Sequence, residues 1–359
     1  MFFQSIIKKK LFFFKEKIKN SNRIFEHNII WFLILKEKNK RIGIGECNPL
    51  LDHFALKNLY NYEKELLFIS KKINRSKKID PMYYRRFISY SSIFFGLEQA
   101  FLSFNKGFPI LYNSDFTDGK NGLPTSSLIW LNTSENEFFK KVEEKIYLGF
   151  SCIKIKISSK LFPYQYFLLK KIKKKYNNIK IRIDANGSFK DKKSALDCIN
   201  KLFDLNFVYF VEQPITPGNW NEMAYICKNS KLPIALDEEL TTINQFKSKF
   251  LKEKLLDFIS PQYIVLKPSI CGGFLGSKKW ILEAKKRKIE WYISSSLESN
   301  IGMNAITQWT FNLVNDQITH GLETGSFYMN NFLSPLQIKK GSIWYNPFII
   351  KKWKIKNLI

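Results

Sequence analysis

The sequence predicts a (β/α)-barrel joined to a smaller α+β domain. Three observations carry this reading: the length of the chain, a rhythm of short apolar strands and amphipathic helices after about residue 120, and a charged residue at the end of five successive strands. At 359 residues the chain is too long for one small domain and suits a large barrel plus an accessory domain. With 45% hydrophobic residues it can bury a sizeable core, which excludes a disordered chain.

Residues 1–120 are irregular and mixed. The apolar run Ile29–Leu35 and the alternating run Arg41–Gly45, joined by the polar stretch Lys36–Lys40, read as a hairpin. Helical stretches follow around Leu56–Ile73 and Tyr90–Leu102, and the turn-rich segment Asn113–Pro124 closes this part. Strands are then expected at Ser127–Leu131, Cys152–Ile157, Lys180–Asp184, Phe207–Glu212, Pro233–Asp237, Gln262–Lys267 and Glu290–Ser295. A weaker eighth lies near Gln317–Gly321. The first intervening helix is punctuated by a capping box, Ser134 with Glu137, and by Gly149 at its end. Further helices run about Pro163–Tyr176, Asp191–Phe203, Ile243–Leu255 and Gly276–Lys288. Such alternation implies a parallel sheet with right-handed crossovers, and seven or eight units imply closure into a barrel. Residues 331–359 are turn-rich and then strand-like, and read as a return onto the N-terminal domain.

The formal net charge of +27 raises the question of a nucleic-acid partner. The excess is almost all lysine, spread along the chain, and arginine is confined to Arg23, Arg41, Arg75, Arg85, Arg86, Arg182 and Arg287. Lys, Asn, Ile and Phe share AT-rich codons, so base composition accounts for the bias. The reading is a solvated lysine-rich surface and no nucleic acid. Cys47, Cys152, Cys198, Cys227 and Cys271 are scattered without a CxxC pair, as free thiols in a reducing cytoplasm would be. The N-terminal aromatic clusters are broken by lysines and form no signal peptide. Ile29–Leu35 is too short to span a bilayer. A cytoplasmic protein with no membrane partner is expected.

Chemistry is concentrated at the strand ends. The second strand carries Lys154 and Lys156 (IKIKI), the third ends in Asp184 (RIDAN), the fourth in Glu212 (FVEQP), the fifth in Asp237 (ALDEE) and the sixth in Lys267 (VLKPS). The steps are each roughly one βα unit, about 30 residues. Active sites of such barrels lie at the carboxyl ends of the strands. A charge ending an apolar strand is costly unless paired or metal-bound. Asp184, Glu212 and Asp237 come from adjacent strands and can converge on one ion. All-carboxylate ligation suits a hard cation, Mg²⁺ with Mn²⁺ as a substitute. Glu238 and Glu239 adjoin Asp237 and remain alternatives for the third position. Lys154 and Lys156 face the same side of their strand. Strands two and six are opposite in an eight-stranded ring, so Lys156 and Lys267 flank the space before the metal. This is a site for removing a proton beside a carboxylate of a small-molecule substrate. The cation neutralises the second negative charge, and nearby positive charges favour a neutral, basic lysine.

The KIK, DAN, VEQP, DEE and LKPS segments, in this order and spacing, resemble the muconate-lactonising subgroup of the enolase superfamily, known for a Lys or His base with Mg²⁺ and an enediolate. GIGECNPL near residue 46 is similar to that subgroup's capping-domain strand leading to a substrate loop. The resemblance implies a (β/α)8-type barrel, modified as (β/α)7β, at residues 121–330. It implies an α+β capping domain at 1–120 and a C-terminal return at 331–359. LKPSICGGF, YISSSLESNIGMNAITQW and HGLETGSFYMNN resemble the o-succinylbenzoate synthase family within the subgroup. That implies a hydro-lyase of menaquinone biosynthesis, which dehydrates 2-succinyl-6-hydroxy-2,4-cyclohexadiene-1-carboxylate to 2-succinylbenzoate. Carried over motif by motif, Lys156 abstracts the proton and Lys267 lies as a cation over the enediolate. Lys154 belongs to the same catalytic group. Arg182, Ser294 and Gly321 hold the substrate, and Asn186 supports the ligands from behind.

The same two-lysine site serves N-acylamino acid racemases and dipeptide epimerases, the alternative reading. Dipeptide epimerases of the subgroup carry an acidic DxD pair near strand eight, where HGLETG here has the single Glu323, which counts against that alternative. His27, His53 and His320 form no ligand cluster, and the absence of histidine on strands six and seven disfavours the mandelate-racemase branch. Cys271–Gly272–Gly273 reads as a tight turn or an anion-binding helix start. No nucleotide fingerprint is present. An RNA-binding protein would need basic and aromatic stripes, and a decayed enzyme would have lost one of the five strand-end residues; the sequence shows neither. Oligomeric state is not encoded in any of these features.

Overall fold

The computed structural model describes residues 3–19, 24–37, 41–50, 58–130, 134–176, 178–246, 249–313 and 318–352. The chain opens on an antiparallel sheet of β1 (Phe3–Lys19), β2 (Ile24–Glu37) and β3 (Ile42–Cys47), in that order. The expected hairpin is β2–β3, with Trp31 opposite Cys47 and Leu35 opposite Gly43. Sequence reading assigned no strand to β1. Phe3, Ser5, Phe12 and Phe14 turn inward while Gln4, Leu11 and Phe13 face out, so the period of two is present, but lysine and phenylalanine runs obscure it.

Helices α1 (Leu59–Ser76), α2 (Pro81–Arg85) and α3 (Ser91–Lys106) pack on this sheet. Asn58 and Asp80 cap the first two. Helix α3 lies directly on β3 because glycines face each other there: a Cβ on Gly45 would stand 1.7 Å from the Gly96 carbonyl oxygen. That close contact anchors β3, whose continuation reaches the barrel mouth.

The barrel begins after β4 (Leu123–Pro124). Its strands are β5 (Ser127–Ile129), β6 (Cys152–Lys156), β7 (Lys180–Asp184), β8 (Val208–Glu212), β9 (Ile234–Leu236), β10 (Tyr263–Leu266) and β11 (Glu290–Ile293). They form one seven-stranded sheet in chain order, every neighbouring pair parallel. The weak eighth strand is reduced to two parallel bridges, Thr125 with His320 and Ser294 with Gly321, which link β11 back to the segment before β5. Gln317, its expected start, and Leu131, the expected end of the first strand, lie outside the described residues.

The outer helices are α4 (Glu135–Tyr147), α5 (Phe162–Lys175), α6 (Lys192–Phe203), α7 (Trp220–Asn229), α8 (Lys249–Ile259), α9 (Gly273–Lys286) and α10 (Asn300–Phe311). The Ser134–Glu137 capping box forms as read, and Gly149 follows at φ +85°. Helices α7 and α10 had not been assigned. Helix α10 is buried from Ile301 to Thr310, so it presents no amphipathic stripe. After it, Tyr328 and Phe332 pack on Phe12 of β1. Strands β12 (Leu336–Lys339) and β13 (Ser342–Tyr345) form a hairpin that pairs with β4 rather than extending the N-terminal sheet. All five cysteines are buried free thiols. Among the described residues no helix is long and apolar enough to cross a membrane.

Two carboxylates of the N-terminal layer cap barrel helices. Glu46 accepts from the Ser299 and Gly302 amides at the start of α10. Glu98 accepts from the Phe274 and Leu275 amides at the start of α9, at 2.6 and 3.0 Å. Burial pushes the Glu98 carboxyl up to about 8, against the downward pull of those amides. A carboxyl that titrates higher in the fold than in the unfolded chain holds its proton more tightly in the fold. Its stabilisation is complete below the unfolded value of about 4.3 and is lost as pH rises toward 8. Glu98→Gln carries no such titration. The gap in melting temperature between wild type and variant therefore moves in the variant's favour from pH 5 to 8.5. A gap independent of pH in thermal denaturation contradicts this.

Candidate active site

The strand register puts the charges in one layer. Lys156 pairs in register with Asp184, and Asp184 with Glu212. Each ends its strand on the carboxyl side, next to Asp237 after β9 and Lys267 after β10. Lys154, one inward-facing position below Lys156, lies 2.8 Å from Asp184 and 2.7 Å from Glu212. Lys156 Nζ donates to Asn186 Oδ1 at 2.6 Å and lies 3.2 Å from Asp184 and 4.8 Å from the Trp130 ring centroid. Lys267 is ion-paired with Asp237.

The charges hold one another. Burial raises the Asp184 carboxyl, but the ammonium groups of Lys154 and Lys156 outweigh it and hold the acid below its usual range. Burial lowers Lys154 and Lys267, yet the adjoining carboxylates keep both ammonium groups above theirs. Glu212 is pushed up to about 7 by burial and by the negative charge of Asp184. Burial likewise raises Asp237 and Glu238.

Asp237, Glu238 and Glu239 have different surroundings. Glu239 turns away and accepts from the Gly218 amide. Glu238 lines the cavity, takes a hydrogen bond from Asn186 Nδ2 at 2.9 Å, and has its buried Oε2 without a hydrogen-bond partner. Among the described residues no three acidic, histidine or cysteine side chains close on a common point, because lysines stand between the carboxylates. The donor set nevertheless fits a hard divalent cation. The buried carboxylates of Asp184, Glu212 and Asp237 and the half-buried Glu238 face three lysines, every candidate donor is oxygen, and Glu238 Oε2 lacks a hydrogen bond.

In front of this layer is a cavity of about 130 Å³. Lys156 and Lys267 line it, as do Ser294, Gly321 and Asn186. Leu50, beyond β3, also reaches it, and Asn48 is tied to the Ser296 and Leu297 carbonyls. His53, a few residues further on, lies outside the described residues.

Arg182 is a correction. It faces the barrel interior but two residues before Asp184, about 7 Å deeper. It donates to the Thr319 carbonyl and lies against the Tyr292 ring, lining a different cavity with Lys180, Tyr209 and Tyr263 at the strands' amino ends. It cannot hold a substrate in front of the carboxylates.

Three contributors were not read from the sequence. Tyr292 donates to Glu212 Oε2 at 2.7 Å; its place two residues before Ser294 was a signal that went unused. Trp130 walls the cavity beside Lys156. Lys145 of α4 ion-pairs with Glu323, and a lysine on an amphipathic helix gives no such signal.

Residues 137–346 match the enolase C-terminal domain-like family. The chain belongs to the enolase superfamily. Members of this superfamily typically use a divalent metal. Its chain is 38% identical over 256 residues to the o-succinylbenzoate synthase of Desulfotalea psychrophila, covering 70% of this chain and 67% of that one. It is 28% identical to the N-succinyl-L-Arg/Lys racemase of Bacillus cereus, over 36% of this chain and 33% of that one. Among solved structures, MenC from Desulfotalea psychrophila superposes with a TM-score of 0.80 at 30% identity, covering 95% of this chain and 99% of that one. The L-Ala-D/L-Glu epimerase of Bacillus subtilis has the same fold, with a TM-score of 0.80 at 18% identity over 95% of each chain.

Proposed function

We propose that this superfamily member is an o-succinylbenzoate synthase, acting on 2-succinyl-6-hydroxy-2,4-cyclohexadiene-1-carboxylate. The observation that carries the reading is 38% identity over 256 residues to a synthase of that name; beside it, Lys156, Asp184 and Lys267 line one cavity, with Glu212 and Asp237 ion-paired to Lys154 and Lys267 of that lining. The racemase and epimerase relatives match less of the chain at lower identity.

Asp184 and Glu212, with Asp237 or Glu238, would hold the cation, taken here as Mg²⁺. When bound, it supplies positive charge to the substrate carboxylate as that group takes up a second negative charge. Lys156 takes the proton from the ring carbon bearing the carboxylate. The electron pair left behind spreads into an enediolate, and the Lys267 ammonium faces it across the cavity. The pair then re-forms a ring double bond as hydroxide leaves the neighbouring carbon. The proton held on Lys156 goes to that hydroxide, so water departs and the lysine returns to its neutral form. The ring becomes aromatic, which drives the step to 2-succinylbenzoate. Asn186 fixes Lys156 through its Oδ1 and Glu238 through its Nδ2.

Purified protein with Mg²⁺ is expected to abolish the diene absorbance of the cyclohexadiene and to release 2-succinylbenzoate. Failure to convert it, with exchange of the α-hydrogen of N-succinyl amino acids in D₂O, would move the assignment to a racemase on the same site.

A further inference from the structure

Glu323 stands where an eighth strand would end, and it is out of place in a site for an anionic substrate. It is 7% exposed and lines the cavity beside Thr324 and Ser127. A bare carboxylate there repels a substrate bearing two carboxylates at a cost that low polarity magnifies. The fold answers this charge from outside the cavity. Lys145 extends from α4, lines a neighbouring cavity of about 340 Å³, and ion-pairs with Glu323 Oε1. The other oxygen, Oε2, accepts from Ser127 Oγ and from the Leu128 amide at 3.2 Å. Both oxygens are thus occupied from the wall, and the lysine side chain is only 18% exposed, which limits solvent screening.

We infer that the Lys145–Glu323 pair is a specificity device: Lys145 cancels the charge of Glu323 so that this wall admits a substrate with two carboxylates and no ammonium group. Neither residue is a catalytic residue. The pair sets the electrostatic character of the cavity wall at Ser127 and Leu128. The inference rests on the synthase reading, and the two are separable, because wild-type turnover tests that reading and the direction of variant effects tests this one.

Two single substitutions change the wall's charge in opposite directions. Lys145→Met leaves Glu323 uncancelled and is expected to raise KM for the cyclohexadiene substrate about tenfold, with kcat within threefold of wild type. Glu323→Gln leaves Lys145 uncancelled and is expected to lower KM severalfold. The double variant restores both to near the wild-type value. A merely structural pair raises KM in both single variants and more in the double, and that pattern overturns the inference. So does a KM for Lys145→Met within twofold of wild type. Should Lys145→Met fail to fold, Glu323→Gln decides alone: an unchanged or raised KM overturns the inference.

Discussion

Lys156→Ala is expected to lower kcat by about 10⁴, near the upper range for loss of a positioned general base, while KM changes little. The separation follows from placement. Lys156 reaches the cavity from β6 and is held by Asn186 at 2.6 Å, so its removal deletes a proton acceptor. Asp184 loses its 3.2 Å ion pair with Lys156 but keeps the shorter one with Lys154 at 2.8 Å. Lys267→Ala is expected to cost about 10³ by a different route, loss of a cation facing the developing charge. It also leaves Asp237 without its ammonium partner, so this variant melts at a lower temperature than Lys156→Ala does. Stopped-flow turnover and substrate hydrogen exchange in D₂O check both. Lys156→Ala retaining more than a tenth of wild-type kcat removes Lys156 from the role of base.

What the sequence disclosed follows a physical division. Ionisable residues ending apolar strands break the expected pattern, so Lys156, Asp184, Glu212 and Lys267 could be found without a structure, and the register shows them in one layer. Helices with a cap and an amphipathic face, such as α4 and α6, were also visible. Helix α10 was not, because it is buried on every side and carries no periodic signal. Strand β1 was hidden by lysine and phenylalanine runs that mask a real alternation. Arg182 shows the limit of reading faces alone. It shares a face with Asp184 but not a depth, and depth decides whether a side chain meets a substrate or the barrel floor. Lys145 shows another limit, since its partner lies 178 positions away and only the closed barrel brings them together.

Removal of divalent cations is expected to abolish turnover altogether. EDTA-treated protein loses activity by more than 10³ and regains it with Mg²⁺ or Mn²⁺, but not with Na⁺ at equal ionic strength, because the second charge of the enediolate has no other neutralising partner of that strength. The carboxylates do not bear the loss equally. Asp184 touches both Lys154 and Lys156, so Asp184→Asn disturbs two ammonium groups as well as a proposed ligand and is expected to reduce both metal affinity and melting temperature. Glu212 is tied from behind by the Tyr292 hydroxyl at 2.7 Å. Tyr292→Phe leaves every proposed ligand in place and removes only the hydrogen bond that orients this Glu212 oxygen. It is expected to raise the Mg²⁺ concentration for half-maximal activity about tenfold, the usual scale for losing a group that orients a ligand, and saturating Mg²⁺ then recovers most of kcat. Calorimetric titration with Mn²⁺ reads the same weakening without turnover. If Tyr292→Phe binds Mn²⁺ as tightly as wild type, Glu212 is not held for the cation by this hydroxyl; if EDTA leaves turnover intact, the carboxylate layer serves only to position the lysines.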